Sequence, residues 1–159
     1  MKKIDAKMLT RGALIAAVYT VITYVWPLSF GAGGIDVRVS ECLCVLPIFM
    51  PEAVNGLFIG CLISNLLGST LLDAVAGSLT TLLSAYLTRR LRNKPFAVSA
   101  LPPVLLNAII TGTVVYYLYT DSLGAGMWLG TMVSVGLGEA VSVYLLGGAL
   151  MPLFKRIKK

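Results

Sequence analysis

Histidine is absent from the 159-residue sequence, and this absence narrows the chemistry that the chain can perform. Histidine is the commonest zinc ligand and the side chain that most often transfers protons near neutral pH. The three cysteines form no CxxC motif, since Cys42 and Cys44 make a Cys-x-Cys pair and Cys61 stands apart. The sequence also lacks a glycine loop followed by lysine and a GxGD motif. We therefore expect no metal, no cofactor and no catalytic site.

Charge is scarce as well, because 13% of the residues are charged and 57% are hydrophobic. Ordinary soluble domains carry about 25% charged residues. The mean hydropathy is +0.87. A soluble domain of this size leaves much of its surface in water and cannot hide so many apolar side chains. We conclude that the lipid bilayer is the solvent of this chain and that it is an integral membrane protein.

The net charge of +6 follows the topology rule of membrane proteins and does not indicate nucleic-acid binding. All basic residues except Arg38 lie in three clusters, each beside an apolar run. The clusters are Lys2, Lys3, Lys7 and Arg11; Arg89, Arg90, Arg92 and Lys94; and Lys155, Arg156, Lys158 and Lys159. Such clusters remain on the cytoplasmic side of a membrane.

Six apolar runs alternate with these clusters. They cover residues 8–27, 39–50, 53–67, 71–88, 96–119 and 127–154. A crossing needs about 20 apolar residues, so the second run, about 18 Å long as an α-helix, requires packing inside the protein. With the basic clusters inside, the sequence predicts an all-α integral membrane protein. Residues 1–159 would form one domain of six transmembrane helices with a short second helix and cytoplasmic N and C termini.

Small residues recur at helical spacing on two of the predicted helices. Ala13 and Ala17 form a small-xxx-small pair on the first, and the third carries Gly56, Gly60, Ser64 and Gly68. Such stripes allow close approach of another helix. One seam suffices for internal packing, so two seams favour a contact with a partner subunit.

Polar side chains within the apolar runs are the candidate ligand-binding residues, because burying them in a membrane costs energy. They are Arg38, Glu41, Asn65, Asp73, Asn107 and Glu139. Two alternatives stay open, in which Arg38 merely pairs with Glu41 and Asn107 with Glu139. The predicted outer side is acidic, which would attract cations or reflects only the exclusion of basic residues. Its charged residues are Asp36, Glu41, Asp73 and Asp121, with Arg38.

The order of these features resembles the QueT family of substrate-binding (S) components of energy-coupling factor (ECF) transporters. The matching segments are Ala13-xxx-Ala17, Pro27-Leu-Ser-Phe-Gly31, Arg38-Val-Ser-Glu41, Leu46-Pro47, Gly56-Leu-Phe-Ile-Gly60, Asn65, Asp73-xxx-Gly77-Ser78, Thr81-Leu82, Pro103-xxx-Asn107 and Gly136-x-Gly138-Glu139. The resemblance implies a six-helix subunit of the bacterial plasma membrane with an outward-opening pocket. It also implies docking on two cytoplasmic ATPases and a transmembrane scaffold, with Ala13 and Ala17 at the scaffold contact.

The same resemblance implies a queuosine precursor, a 7-deazaguanine such as 7-aminomethyl-7-deazaguanine, as cargo. A guanine-like base offers two adjacent donors, which Glu41 or Glu139 would accept as a bidentate pair. Asn65, Asn107 or Arg38 would serve the ring oxygen, whereas Asp73 and Trp128 would suit an aminomethyl cation. An S component for another vitamin-like solute and a membrane scaffold or assembly protein without ligand remain alternatives.

Overall fold

A computed structural model describes residues 5–25, 37–119 and 124–157. Within those ranges the chain is helical and contains no strand, which confirms the predicted all-α class for this part. The helices are the first (Ala6–Val25), the short second (Val39–Ile48), the third (Ala53–Gly68), the fourth (Leu71–Arg90), the fifth (Phe96–Ser99, Leu101–Leu106, Asn107–Thr111 and Gly112–Tyr119) and the sixth (Ala125–Ala140, Val141–Gly147 and Gly148–Ile157). Several residues discussed above lie outside the described ranges, namely Lys2, Lys3, the 27–31 segment, Asp36, Asp121, Lys158 and Lys159.

Four of the six helices are long and apolar enough to cross a membrane. These four are Ala6–Val25, Leu71–Arg90, Phe96–Leu118 and Ala125–Phe154. The short second helix and the third helix are also apolar, but they have 10 and 16 residues. The length and apolar composition of the four long helices support placement of the chain in a membrane.

The short second helix is the centre of the fold, and it is wound as a 3₁₀ helix. A 3₁₀ helix rises about 2.0 Å per residue, so ten residues reach about 20 Å, well below the hydrocarbon thickness of about 30 Å. Every residue from Ser40 to Pro47 is buried. The helix packs against the first, fourth and sixth helices. Protein therefore surrounds this short segment, as its length requires.

The basic ends of the long helices meet at one end of the bundle. The Arg11 guanidinium lies 3.4 Å from the Glu52 carboxylate, just before the third helix. Arg89 donates hydrogen bonds of 3.1 and 3.2 Å to the last carbonyls of the short second helix. Phe154, beside the third basic cluster, packs its ring 6.5 Å from that of Phe49. Among the described residues, Arg11, Arg89 and Phe154 therefore lie around the link between the second and third helices.

The small-residue stripe of the third helix packs directly against the first helix. A Cβ atom added to Gly56 would lie 2.6 Å from the carbonyl oxygen of Gly12. One added to Gly60 would lie 2.9 Å from both the Ala16 carbonyl oxygen and the Tyr19 Cβ. No side chain fits at such distances, so this stripe is an internal packing seam.

Candidate ligand-binding site

Four of the predicted site residues line one small cavity between the second, fifth and sixth helices, which we call the polar cavity. It is lined by Arg38, Glu41, Asn107, Thr111, Val115, Val135 and Glu139. Its volume is about 20 Å³, which is close to the space that one water molecule needs. The structure therefore brings these four residues together around one cavity.

The winding of the short second helix explains why its polar residues share a face. In a 3₁₀ helix, residues three apart are eclipsed. Arg38 caps the helix, Glu41 lies three residues on, and Cys44 follows after three more. Arg38 and Glu41 both line the polar cavity, and Cys44 lies against the Glu41 carboxylate.

The Glu41 carboxylate is buried, with 3% of its surface exposed, and it accepts hydrogen bonds at both oxygens. The Tyr19 hydroxyl donates to Oε1 at 2.5 Å from the first helix. The Cys44 thiol donates to Oε2 at 2.8 Å. Both donors are neutral, so they satisfy the oxygens without cancelling the charge.

A second hydrogen-bonded chain crosses the polar cavity from the fifth to the sixth helix. The Asn107 amide donates to Glu139 Oε1 at 3.1 Å, and the Thr111 hydroxyl donates to Asn107 Oδ1 at 2.9 Å. The expected pairing of Asn107 with Glu139 is therefore present. Asn107 begins the π-helical segment Asn107–Thr111, and Glu139 closely precedes the π-helical segment Val141–Gly147. Such interruptions of α-helices are frequent at functional sites.

The two carboxylates of the polar cavity lie close to each other. One carboxylate oxygen of Glu41, one of Glu139 and the Cys44 sulfur lie within 4.8 Å of one another. By distance alone this set would coordinate a metal ion, but donors from Tyr19, Cys44 and Asn107 already occupy these oxygens. Two like charges at this distance repel each other, and Arg38 lines the same cavity as a positive group.

Asn65 and Asp73 lie together in a separate place, at the junction of the third and fourth helices. A Cβ on Gly77 would lie 3.0 Å from Asn65 Nδ2 and 3.9 Å from Asp73 Oδ1. The Ser69 hydroxyl donates to Asp73 Oδ2 at 2.6 Å. Asp73 Oδ1 is buried, and no described residue donates a hydrogen bond to it. These two residues are absent from the lining of the polar cavity.

Cys61 connects the two groups of polar residues. Its sulfur accepts hydrogen bonds from the Asn65 amide at 3.4 Å and from the Thr81 hydroxyl at 3.3 Å. The same side chain lies near enough to Glu41 for an electrostatic interaction.

Trp128 lies outside the lining of the polar cavity, on the sixth helix. Its indole nitrogen donates to the Thr113 hydroxyl at 3.1 Å. Val135, which lines the polar cavity, follows seven residues later, about 10 Å along the helix axis. Glu139 follows Trp128 by eleven residues, so Trp128 stands about three turns away from that carboxylate and shares its side of the helix.

Sequence reasoning missed Tyr19, Cys44 and Thr111 as parts of the site. Thr111 carries a detectable signal, because it follows Asn107 by four residues and such pairs meet on a helix. Tyr19 carries none, since its contact with Glu41 joins two helices that are 22 residues apart in sequence. Cys44 belongs to no CxxC motif, and in the structure its thiol is a hydrogen-bond donor to Glu41.

Ala13 and Ala17 lie on a different surface, a groove between the first and third helices that we call the alanine groove. Both residues are exposed. The groove has a volume of about 730 Å³, and its lining includes apolar side chains such as Leu9, Val21 and Ile63. The first and third helices pack closely along the seam beneath this groove. No described residue covers the face of the first helix that carries Ala13 and Ala17.

Long apolar helices around buried polar groups define a helical membrane protein. The sequence profile described as "QueT transporter" matches residues 9–156. The chain therefore belongs to the QueT transporter family, which confirms the resemblance. Membership indicates a transport protein with a small-molecule substrate rather than an enzyme.

A named relative gives the same family. The chain is 37% identical over 83 residues to "Queuosine precursor transporter QueT" of Lactococcus lactis subsp. cremoris (strain MG1363). The aligned segment covers 52% of this chain and 49% of that protein, so the match spans about half the length of each. No solved structure matches the chain.

Proposed function

We propose that this chain is the substrate-binding membrane subunit of an ECF-type importer for a queuosine precursor, a 7-deazaguanine such as 7-aminomethyl-7-deazaguanine. The observation that carries the proposal is the pair of buried carboxylates, Glu41 and Glu139, around one cavity in a member of the QueT transporter family. The chain itself binds the cargo, and partner ATPases hydrolyse ATP.

The chemistry of a guanine-like ring suits these carboxylates. The ring N–H and the exocyclic amine are adjacent donors, and one carboxylate accepts both at once. The ligand donors replace the internal donors, which are Tyr19 and Cys44 at Glu41 and Asn107 at Glu139. Arg38 and the released Asn107 amide then donate hydrogen bonds to the ring oxygen. Because small-molecule pockets measure about 300–1,000 Å³, loading requires the walls of the polar cavity to separate.

Asp73, Asn65 and Trp128 suit the aminomethyl end of the cargo. A buried acceptor without a donor costs about 1–3 kcal/mol, so Asp73 Oδ1 favours a ligand that brings an ammonium group. Asn65 approaches Gly77 from the same junction of helices and supplies a further amide. The face of Trp128 stabilises a cation through its ring electrons.

The alanine groove is the docking surface for the transmembrane scaffold of the ECF module, which also holds two cytoplasmic ATPases. Small residues at Ala13 and Ala17 let a partner helix approach closely. The groove is apolar and lies apart from the polar cavity, so one partner helix and one ligand bind at the same time.

The proposed topology has six crossings with both termini in the cytoplasm of the bacterial plasma membrane. Support comes from Arg11 of the first basic cluster, Arg89 of the second and Phe154 beside the third, which lie at one end of the bundle. The positive-inside rule assigns that end to the cytoplasm. In this topology the polar cavity, which lies at the start of the short second helix, faces the outside of the cell.

Binding to the purified protein in lipid nanodiscs tests the function. Isothermal titration would compare 7-aminomethyl-7-deazaguanine and 7-cyano-7-deazaguanine with biotin and riboflavin, and mass spectrometry would identify any co-purified ligand. We expect saturable binding of the deazaguanines alone. Binding of a vitamin instead would support an S component of other specificity. Absence of any ligand, together with a co-purifying membrane partner, would support a scaffold or assembly protein.

A further inference from the structure

We propose that Tyr19 is a positioning residue that couples occupancy of Glu41 to the alanine groove. This inference rests on the proposed function, because it assumes a ligand at Glu41 and a partner at Ala13 and Ala17. Neither the family match nor the named relative assigns a role to Tyr19.

The first step is the contact itself. Tyr19 is 1% exposed, and its hydroxyl donates to Glu41 Oε1 at 2.5 Å. Glu41 lines the polar cavity, whereas Tyr19 belongs to the first helix, which carries the alanine groove. One buried hydrogen bond therefore joins the first helix, which carries the docking surface, with Glu41, the carboxylate that binds the ligand.

A second hydrogen bond runs parallel to the first. The Thr23 hydroxyl, one turn after Tyr19, donates to the Ser40 hydroxyl at 2.9 Å. Ser40 directly precedes Glu41 in the short second helix. Two side-chain hydrogen bonds thus hold the first helix to the start of the short second helix. A shift of either helix therefore displaces the other.

The position of Tyr19 is also tied to the groove. A Cβ on Gly60 would lie 2.9 Å from the Tyr19 Cβ, and the Thr20 hydroxyl donates to the Gly60 carbonyl at 3.2 Å. Ala16 and Ala17 lie within one turn of Tyr19 and line the groove. The first helix is the least buried of the four long helices, so small rotations of it disturb few packed side chains.

A ligand changes this arrangement through competition at one acceptor. Ring donors that bind Glu41 compete with the Tyr19 hydroxyl for the same carboxylate oxygens. The first helix then settles in a different position for the loaded and the empty protein. By linkage, the factor by which the ligand changes docking affinity equals the factor by which docking changes ligand affinity.

The test uses Tyr19→Phe in nanodiscs, with docking to the purified ECF module measured with and without saturating 7-aminomethyl-7-deazaguanine. In the wild type we expect the ligand to change the docking constant by about fivefold or more. In Tyr19→Phe that ratio falls to about one, and ligand affinity strengthens about tenfold, because the hydroxyl that competes with the ligand for the Glu41 carboxylate is removed. The matched control is Tyr144→Phe, which removes a hydroxyl bonded to the Ala97 carbonyl at 2.6 Å, and it keeps the wild-type ratio.

Thr23→Val provides a second variant that leaves Tyr19 and Glu41 intact. We expect ligand affinity within about twofold of the wild type, because one neutral hydrogen bond away from the ligand is lost, and a reduced docking ratio. A wild-type ratio of one, or an unchanged ratio in both variants, would overturn this inference alone. A wild-type protein that binds no deazaguanine would overturn the proposed function together with it.

Discussion

The polar cavity and the alanine groove differ in size, polarity and exposure, and the first helix contacts residues of both. The polar cavity is small, buried and filled with internal hydrogen bonds among Glu41, Glu139 and their donors. The alanine groove is more than thirty times larger, apolar and open. The cavity discriminates through charge and donors, whereas the groove offers shape alone.

The difference teaches that binding and docking use separate surfaces with one shared support. That support is the first helix, whose Gly12 and Ala16 pack on the third helix. Changes in the support should abolish both activities, whereas changes on either surface should abolish one. The following predictions test this division, beginning with the largest expected effect.

Gly60→Leu should destroy both regions at once. Its side chain would collide with the Ala16 backbone and with Tyr19, both 2.9 Å from the first added carbon. Overpacking of this kind costs about 1–3 kcal/mol or more, so we expect aggregation or a lowered melting temperature on size exclusion and thermal scans. The control is Gly130→Leu, where an added carbon meets no atom within 4 Å. Equal stability of the two variants would contradict the packing seam.

Glu139→Gln and Glu41→Gln should weaken deazaguanine binding about a hundredfold, because each removes a charge-assisted bidentate acceptor. The shape is conserved, so docking of the empty protein should stay within about twofold. Isothermal titration measures the first quantity and a pull-down with the ECF module the second. Asp5→Asn, at an exposed residue before the first helix, serves as a control. Unchanged ligand affinity in Glu139→Gln would remove this residue from the site.

Ala17→Leu and Ala13→Leu should reduce uptake into cells at least about tenfold and leave ligand affinity within about threefold, since the added bulk blocks a partner helix. Leu145→Phe adds bulk at an exposed position of the sixth helix and should change neither quantity. Parallel losses of uptake and binding would mean that Ala13 and Ala17 belong to the ligand site itself and do not form a docking surface.

Trp128→Leu should have the smallest effect and sharpen the outer limit of the binding region. We expect affinity for 7-aminomethyl-7-deazaguanine to fall about threefold, as a lost cation–π contact predicts, with no change for the uncharged 7-cyano analogue. Equal losses for both ligands would indicate that Trp128 acts through its hydrogen bond to Thr113.

Much of the fold was predictable because apolar runs and charges report on the membrane. The helix ends fall within a few residues of the predicted runs; the fourth helix, for example, extends to Arg90. Arg38, Glu41, Asn107 and Glu139 were identifiable as candidates because polar residues in or beside apolar runs are costly in a membrane. Asn65 and Asp73 form a separate group, because residues at the same depth also spread around the bundle.

Contacts between distant helices were beyond sequence reasoning. Both small-residue stripes obey the same spacing, so nothing in the pattern shows that Gly60 faces inward and Ala17 outward. The 3₁₀ winding of Val39–Ile48 is equally hidden, since packing around the segment decides it rather than propensity. The bond from Tyr19 to Glu41 depends on both of these facts.

The pitch of the short second helix also fixes how deep Glu41 sits. The segment is tethered at both ends, by Arg89 after its last turn and by Tyr19 and Thr23 at its first. Rewinding one three-residue turn as an α-helix would shorten it by about 1.5 Å. A shift of that size would break the hydrogen bonds of Glu41. The 3₁₀ winding therefore sets the position of its carboxylate along the helix axis.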